Sequence, residues 1–192
     1  MAEGTVGFGG SVSARVIRAP KVGLGWKVRN LPNVARGWRI PIAQALGIPT
    51  WYGKLEARLI RADGSTLDYG VLGYRQVTTA FVNFMVVQLQ TETSVWGDFK
   101  FHDSGVGTTA ENVTDTDIET TDGESRVTGS QEEGASANIY KSIGTIAYTT
   151  SKAITEHGLF SVVTGGTLMD RTLFSAINVE NGDSINFGAL AA

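Results

Sequence analysis

The pattern of hydrophobic and polar residues changes character near residue 51. Before that point it follows neither the 3.6-residue period of a helix nor the two-residue period of a strand, and all four prolines lie there, at positions 20, 32, 41 and 49. Proline lacks an amide proton and restricts the residue before it. We therefore predict an extended arm over residues 1–50, with a helical turn near Ile42 and Leu46, and a separate body over residues 51–192.

Alternating segments separated by turn residues predict strands through most of the body. Residues 52–61 and 66–74 flank Asp63-Gly64, which predicts a hairpin with a primed turn. The two clearest later hairpin turns are residues 163–167 and 180–184. The predicted fold class is therefore mainly β: a jelly-roll-like β-sandwich with an extended basic N-terminal arm and at most one or two short helices.

Two stretches of the body break the strand pattern. Thr78 and Thr79 precede AFVNFMVVQLQ, which is apolar on nearly all sides, so we predict a short buried helix with a threonine cap. Residues 103–124 are polar, glycine-rich and acidic, which predicts a long loop with at most short pairing. Whether the acidic loop 111–124 binds a cation stays open, because it lacks the glycine and the spacing of an EF-hand loop.

Charge is divided unevenly between the two parts. Residues 1–61 carry ten Lys and Arg against two acids, a net charge of +8, whereas residues 62–192 carry six bases and 17 acids, a net charge of −11. The bases of the arm are spread singly among apolar residues, which favours docking on an acidic protein surface over binding to nucleic acid. The arm residues predicted to bind a partner are Arg15, Arg18, Lys21, Trp26, Arg36, Trp38, Arg39 and Trp51.

Catalytic chemistry finds little support in the residues. The chain has no cysteine, which excludes disulfides, thiolate metal sites and thiol nucleophiles. His102-Asp103-Ser104 places three triad residue types side by side, but neighbours on a strand point to opposite faces, so we expect no triad. With two histidines in all, a zinc site would need carboxylates, and we expect His157 to be a packed or interface residue. The sequence predicts no catalytic residue, no metal ligand, no cofactor and no enzyme.

The sequence also predicts a soluble protein. No apolar stretch reaches the length of about 18 residues that indicates a membrane span. The N-terminal residues MAEGTVGFGG lack the basic start and apolar run of a signal peptide. We expect no membrane partner.

Three segments carry a resemblance to a known family. FKFHDSGVGTTAE, ITEHGLF and LMDRTLFSAINVENGDS resemble uncharacterised virion proteins of tailed double-stranded DNA bacteriophages, over roughly residues 52–187. The resemblance implies a virion structural protein, made in the bacterial host cytoplasm, with a β framework. It also implies turn or bulge glycines at positions 158 and 182 and core positions at Ile154, Leu159, Phe160, Leu168, Leu173 and Phe174.

Among virion proteins, we expect a capsid decoration (cement) protein. It would be a homotrimer on the capsid surface that binds the major capsid protein through its arm and stabilises the assembled shell. Two alternatives stay open. One is a structural protein of the tail or the head–tail junction, which would occur in rings. The other is a particle-borne glycan-binding or hydrolytic module, for which Asp117 or Glu156 would be the carboxylates to test.

Overall fold

The structure, a computed structural model, describes residues 20–35, 52–90, 99–133 and 139–191, together with positions 37, 39, 42 and 46. It is mainly β, as predicted, and its strands form two antiparallel sheets. The described elements in chain order are α1 (Leu24–Ala35), β1 (Gly53–Ile60), β2 (Thr66–Val77), α2 (Thr79–Gln90), β3 (Phe101–Gly105), β4 (Val127–Thr128), β5 (Ser130–Glu133), β6 (Tyr140–Ala147), β7 (Lys152–Phe160), β8 (Leu168–Val179) and β9 (Ser184–Ala191).

The two sheets are arranged as a β-sandwich that shares one strand. Sheet A has the order β2-β1-β9-β6-β5 and sheet B the order β4-β3-β7-β8-β2. At the opposite edge, β4 and β5 are consecutive in the chain and are separated only by Gly129. Apolar side chains fill the core, and its most deeply buried members include Leu55, Leu59, Leu72, Ile146, Ile154, Leu159, Ile177, Ile185 and Phe187.

β2 and β8 separate soon after they meet. They pair only at Gln76 with Arg171 and at Val77 with Asp170, whereas β2 pairs with β1 along nearly its whole length. The remainder of β8 is paired with β7 on one side and faces a gap on the other. Unpaired backbone groups in such a gap must find other partners, since burying them unpaired is costly.

Helix α1 lies over this gap and supplies those partners with side chains. Asn30 donates from Nδ2 to the carbonyl of Leu72 on β2 (2.6 Å) and accepts at Oδ1 from the amide of Ser175 on β8 (2.9 Å). One turn earlier, Nε1 of Trp26 donates to the carbonyls of Ser175 (3.2 Å) and Ala176 (3.0 Å). The Trp26 ring also packs edge-to-face on Tyr69, with the centroids 4.8 Å apart. The helix therefore replaces the missing strand contacts.

The extended arm predicted for residues 1–50 is wrong over residues 24–35, where the chain is helical. Pro32 lies inside α1. Because proline removes one hydrogen bond of a helix interior, the sequence pattern did not predict a helix here. Trp26 and Asn30 are four residues apart and share one face, so their contacts with both sheets favour the helix. The helical turn near Ile42 is confirmed by a bond from the amide of Leu46 to the Ile42 carbonyl (3.1 Å). The predicted boundary at residues 50 and 51 lies outside the described residues.

Two turns differ from the predictions. β1 and β2 do form a hairpin, but only Gly64 in its turn has a positive φ (79°), whereas a primed turn of the Asp-Gly type needs two such residues. Residues 180–184 make a tight turn closed by a bond from the amide of Asp183 to the Glu180 carbonyl (3.0 Å). That turn is not a hairpin, because β8 lies in sheet B and β9 pairs with β1 and β6 in sheet A. The hairpin predicted at residues 163–167 is confirmed, since it joins the antiparallel β7 and β8.

Helix α2 begins where predicted but is not buried. Thr78 caps it, because its hydroxyl accepts from the amide of Phe81 (3.2 Å) and donates to the Leu168 carbonyl. Phe81 and Phe84 pack edge-on against Phe99, at centroid distances of 4.9 and 5.2 Å. Phe81 is nevertheless the one residue of α2 that is fully buried. The outer side of the helix is apolar and exposed.

The bridging role of Asn30 can be tested by substitution. Asn30→Ala leaves the Leu72 carbonyl and the Ser175 amide without their partner, and we expect the free energy of unfolding to fall by about 2 to 4 kcal/mol. Asn33→Ala is the matched control, since among the described residues the Asn33 side chain bonds that of Asn30 and no backbone group, and it should cost less than about 1 kcal/mol. Urea denaturation measures both. Equal losses for the two variants would contradict the bridge.

Candidate docking surfaces and the buried polar cluster

A hydrogen-bonded chain of three polar side chains crosses the interior of the sandwich. Nδ1 of His102 lies 2.9 Å from Nε2 of His157, and Nε2 of His102 lies 2.9 Å from Oγ of Ser142. All three residues have zero exposure to solvent. We call these residues, on β3, β7 and β6, the interior histidine cluster.

Strand register and two glycines make room for this cluster. Ser104 on β3 faces His157 on β7, so His102 lies diagonally across from His157 on the same face. The His102 ring is sandwiched between Gly129 and Gly144, and a Cβ at Gly144 would overlap the imidazole. His157 in turn packs on Phe187, with the ring centroids 4.6 Å apart. The expectation that His157 is a packed residue is confirmed.

Both histidines are held neutral. Burial lowers the pKa of His102 to about 3, and the positive charge of Arg75 acts in the same direction. Burial also holds the pKa of His157 well below its usual range, assisted by His102 and Arg75. Arg75 itself forms a fully buried ion pair with Asp170. Protonating either ring would place a second positive charge near Arg75 in a fully buried site.

The interior histidine cluster has the order of a nucleophile, a base and an orienting group, but it does not form an active site. Ser142, His102 and His157 have no exposed surface, so a substrate cannot reach the Ser142 hydroxyl. The adjacent His102, Asp103 and Ser104 do not form a triad either, as expected. Asp103 bonds Arg126 at 3.2 Å, and Ser104 donates to Asp122 at 2.5 Å.

The acidic loop is organised by a second cluster on the outer face of sheet B. The Glu156 carboxylate on β7 accepts from the amides of Gly107 (2.9 Å), Glu119 (3.0 Å) and Thr120 (2.9 Å), and from Nε of Arg171 (2.7 Å). Glu156 has zero exposure. Three of these four bonds hold the loop and the fourth comes from Arg171 on β8, so the carboxylate is not available as the catalytic acid or base of a hydrolase.

Most acids of this loop are paired with bases of the same chain. Arg171 contacts Asp115 (3.1 Å) and Glu119 (3.4 Å) as well as Glu156, and Lys152 contacts Glu124 (2.6 Å). Burial alone would lower the pKa of Arg171, but its hydrogen bonds to Glu156 and Asp115 outweigh that effect and raise it. Within the described residues, no group of three or more His, Cys, Asp or Glu is placed to hold a metal ion. Asp117, the other carboxylate considered for hydrolysis, lies 3.8 Å from Arg126 and is largely exposed.

The outer side of α1 presents an apolar stripe between basic residues. Leu24, Val28 and Leu31 are 76, 61 and 53% exposed, and their spacing places them on one side of the helix. Lys27 and Arg29 are exposed beside them. We call these five residues the α1 outer face. A groove of about 320 Å³ between α1 and β2 adjoins it and is lined in part by Lys21, Lys27 and Leu31.

The structure describes three of the eight residues predicted to bind a partner: Lys21, Trp26 and Arg39. Lys21 is exposed, and its backbone forms a parallel bridge with Asp68 on β2. Arg39 is exposed. Trp26 is buried in the core of its own chain, so it cannot serve as an exposed anchor, and that part of the prediction is wrong. Arg15, Arg18, Arg36, Trp38 and Trp51 lie outside the described residues.

Sequence reasoning did not find the interior histidine cluster or the Glu156–Arg171 pair. The members of each are far apart in the chain and meet only through strand pairing. Glycines within strands were a local signal, since such a glycine often marks the close approach of another group: Gly144 lies against His102, and Gly105 lies against Glu156.

No protein-family model, curated protein or solved structure was found to match the chain. Among the residues that the structure describes, neither helix has the length and apolar character needed to cross a membrane.

The Glu156 cluster predicts a local effect of substitution. Glu156→Gln removes the buried negative charge and turns an amide donor toward backbone N–H groups, so we expect a loss of about 3 kcal/mol. Hydrogen exchange at the amides of Gly107, Glu119 and Thr120 should accelerate. Glu119→Gln is the control, because its carboxylate is partly exposed, and it should destabilise the chain much less than Glu156→Gln does. Unchanged exchange at those three amides in the Glu156 variant would refute the role given to Glu156.

The neutral histidines predict a pH dependence of stability. Each histidine has a lowered pKa in the folded chain and an ordinary pKa near 6.5 in the unfolded chain, so only the unfolded state gains protons as the pH falls below about 6.5. The free energy of unfolding should therefore decrease between about pH 6.5 and 5, with a slope approaching 2.7 kcal/mol per pH unit for two histidines.

Acids with lowered pKa values, such as Glu124 and Asp183, lose their stabilising effect only below their unfolded pKa near 4, outside that window. Urea denaturation at several pH values measures the slope. A stability that is flat between pH 6.5 and 5 would be inconsistent with two neutral buried histidines.

Proposed function

We propose that this chain is a virion structural protein of a tailed bacteriophage, and that it decorates the head by binding the major capsid protein on the capsid surface. The resemblance of FKFHDSGVGTTAE, ITEHGLF and LMDRTLFSAINVENGDS to virion proteins supports this proposal. The described residues fit a binding role rather than catalysis. The interior histidine cluster and Glu156 are both fully buried, and their hydrogen bonds hold strands and the acidic loop in place. The proposal assigns no catalytic step and no cofactor to the chain.

The observation that carries the proposal is the α1 outer face. Three large apolar side chains stand exposed in one stripe, and exposed apolar patches of this kind mark interaction sites. Lys27 and Arg29 provide a basic rim, which suits an acidic partner surface. The face is also rigid, because Trp26 and Asn30 bind the other side of the helix to both sheets. A rigid face loses little conformational entropy when it docks.

The partner is a shell rather than a single chain. A ligand that binds only the assembled shell stabilises it by mass action, by about 4 kcal/mol when present at 1,000 times its dissociation constant. Many copies add these contributions over one particle. In this proposal the chain is a homotrimer with a jelly-roll-like body, and Arg15, Arg18, Lys21, Arg36, Trp38, Arg39 and Trp51 extend the contact along the basic arm.

Two alternatives to a decoration protein make different predictions. A tail or head–tail junction protein would bind purified tails or connectors and leave isolated heads bare. A hydrolytic module would need a carboxylate open to substrate, whereas Glu156 is enclosed by four hydrogen bonds. The geometry therefore favours a structural role over a hydrolytic one.

A binding assay on heads tests the α1 outer face. Val28→Asp combined with Leu31→Asp places two negative charges in the stripe, and we expect at least about a tenfold weaker affinity for heads of the phage that encodes the chain. Val162→Asp with Val163→Asp is the control, since these valines are also exposed but lie in the β7–β8 turn. Cosedimentation with undecorated heads measures both. Equal binding by the two double variants, or no binding by the natural chain, would contradict the proposal.

A further inference from the structure

A second apolar surface lies on α2 and differs from the α1 outer face in its charge. Val82, Val86 and Leu89 are 50, 46 and 75% exposed. Their spacing of four and then three residues places them in one line along the helix. A groove of about 450 Å³ runs beside this line, and the described residues that line it are all apolar: Val77, Phe81 and Met85 together with the three exposed residues. We call this ridge and groove the α2 outer face.

The α2 outer face carries no charge. The twelve residues of α2, TAFVNFMVVQLQ, include no Asp, Glu, Lys or Arg. An exposed helix in a globular protein ordinarily has a charged or polar outer side, so this pattern is that of a helix covered on both sides. The inner side is covered by Phe99 and β8.

The distribution of charge favours another copy of the same chain as the occupant of this face. Where copies meet on a rotation axis, residues close to the axis lie near their own equivalents, so a charged residue there would face a like charge. Residues 62–192 carry a net charge of −11, and a contact on the axis through one of their acidic surfaces would therefore be unfavourable. The α2 outer face is a large patch on which two copies can meet without burying a like-charged pair.

The shape of the face supports the same occupant. A four–three spacing of Val and Leu is the seam of a helical coiled coil, in which the ridge of one helix fits beside that of its partner. The ridge and the groove lie side by side on one chain, so each copy offers the other both a projection and a recess. The helix is firmly held by its Thr78 cap and by Phe81, and little order is lost when copies associate.

We propose that α2 is the self-association helix of this protein, and that Val82, Val86 and Leu89 pack against the same residues of a second copy around a rotation axis. This inference deepens the proposed function and rests on its homotrimer, because it names the helix that joins the copies; it concerns the free chain and can be tested without any head shell. The two helices then have separate tasks: α1, with its basic rim, faces an acidic partner, and α2, without charge, faces its own copies.

The mass of the free full-length chain in solution tests the proposal. Light scattering after size exclusion should give a multiple of the 20.4 kDa chain mass for the natural protein. Val82→Lys with Val86→Lys should reduce the mass to that of one chain, because like charges would meet across the axis. Val162→Lys with Val163→Lys is the control, matched in residue type and close in exposure (42 and 52%), and it should keep the natural mass.

Two results would overturn the proposal. One is a natural chain that is a monomer at every concentration that stays soluble. Another is a Val82/Val86 variant that keeps the natural mass. If that variant keeps its mass and also melts at a much lower temperature, another segment of the same chain covers α2. A monomeric natural chain would also remove the homotrimer from the proposed function, whereas binding of the chain to heads is measured separately, so failure of this inference and failure of head binding can be told apart.

Cysteine cross-linking covers the case in which the double lysine variant does not fold. The chain contains no cysteine, so a single introduced thiol can pair only with its equivalent in another copy. Val86 lies in the middle of the ridge and meets its equivalent whether the two helices run parallel or antiparallel. Mild oxidation of Val86→Cys should give a covalent dimer in high yield, whereas Val163→Cys should give little. Equal yields from the two variants would overturn the proposal.

Discussion

Backbone hydrogen bonding at the gap between β2 and β8 is the constraint on which the rest of the structure depends. β2 follows β1 along nearly its whole length and therefore leaves β8 after two paired residues. The exposed groups of β8 need partners, and Asn30 and Trp26 supply them from α1. Because these inner residues are held by both sheets, the opposite side of the same helix becomes a rigid outer surface. The docking surface proposed for α1 is thus a consequence of how the sandwich is closed.

The interior shows that polar residues here specify the arrangement of strands and loops. The interior histidine cluster joins β3, β6 and β7 across both sheets, and Glu156 with Arg171 holds the long loop over sheet B. Buried polar and charged side chains often add less stability than apolar side chains of similar size. They disfavour other strand registers, however, because a slip of one residue would leave them buried without their partners. Arg171, Arg126 and Lys152 pair with acids of the loop, and these pairs are already included in the net charge of −11 that residues 62–192 carry.

Local patterns predicted those parts of the fold that depend on neighbouring residues. The strand-rich body, the hairpin at Gly64 and the cap at Thr78 all follow from short segments and were correct in kind. Two features depend on distant contacts and were missed: α1, where Trp26 and Asn30 outweigh Pro32, and the pairing of β9 with β1 and β6. The buried clusters belong to the second group, since His102 and His157 are 55 residues apart and meet only through the register of β3 and β7. Trp26 was assigned to a partner because composition alone does not show which of two surfaces a tryptophan covers.

We propose that the chain belongs to the head shell of a phage particle. Counting its copies per purified virion by quantitative mass spectrometry, normalised to the major capsid protein, distinguishes this location from the others. A decoration protein that occupies shell sites should appear in a constant ratio to the shell subunit, with a copy number that rises with the size of the head. A count no larger than a single ring of subunits would place the chain at the tail or the head–tail junction, and its absence from purified virions would contradict the structural assignment altogether.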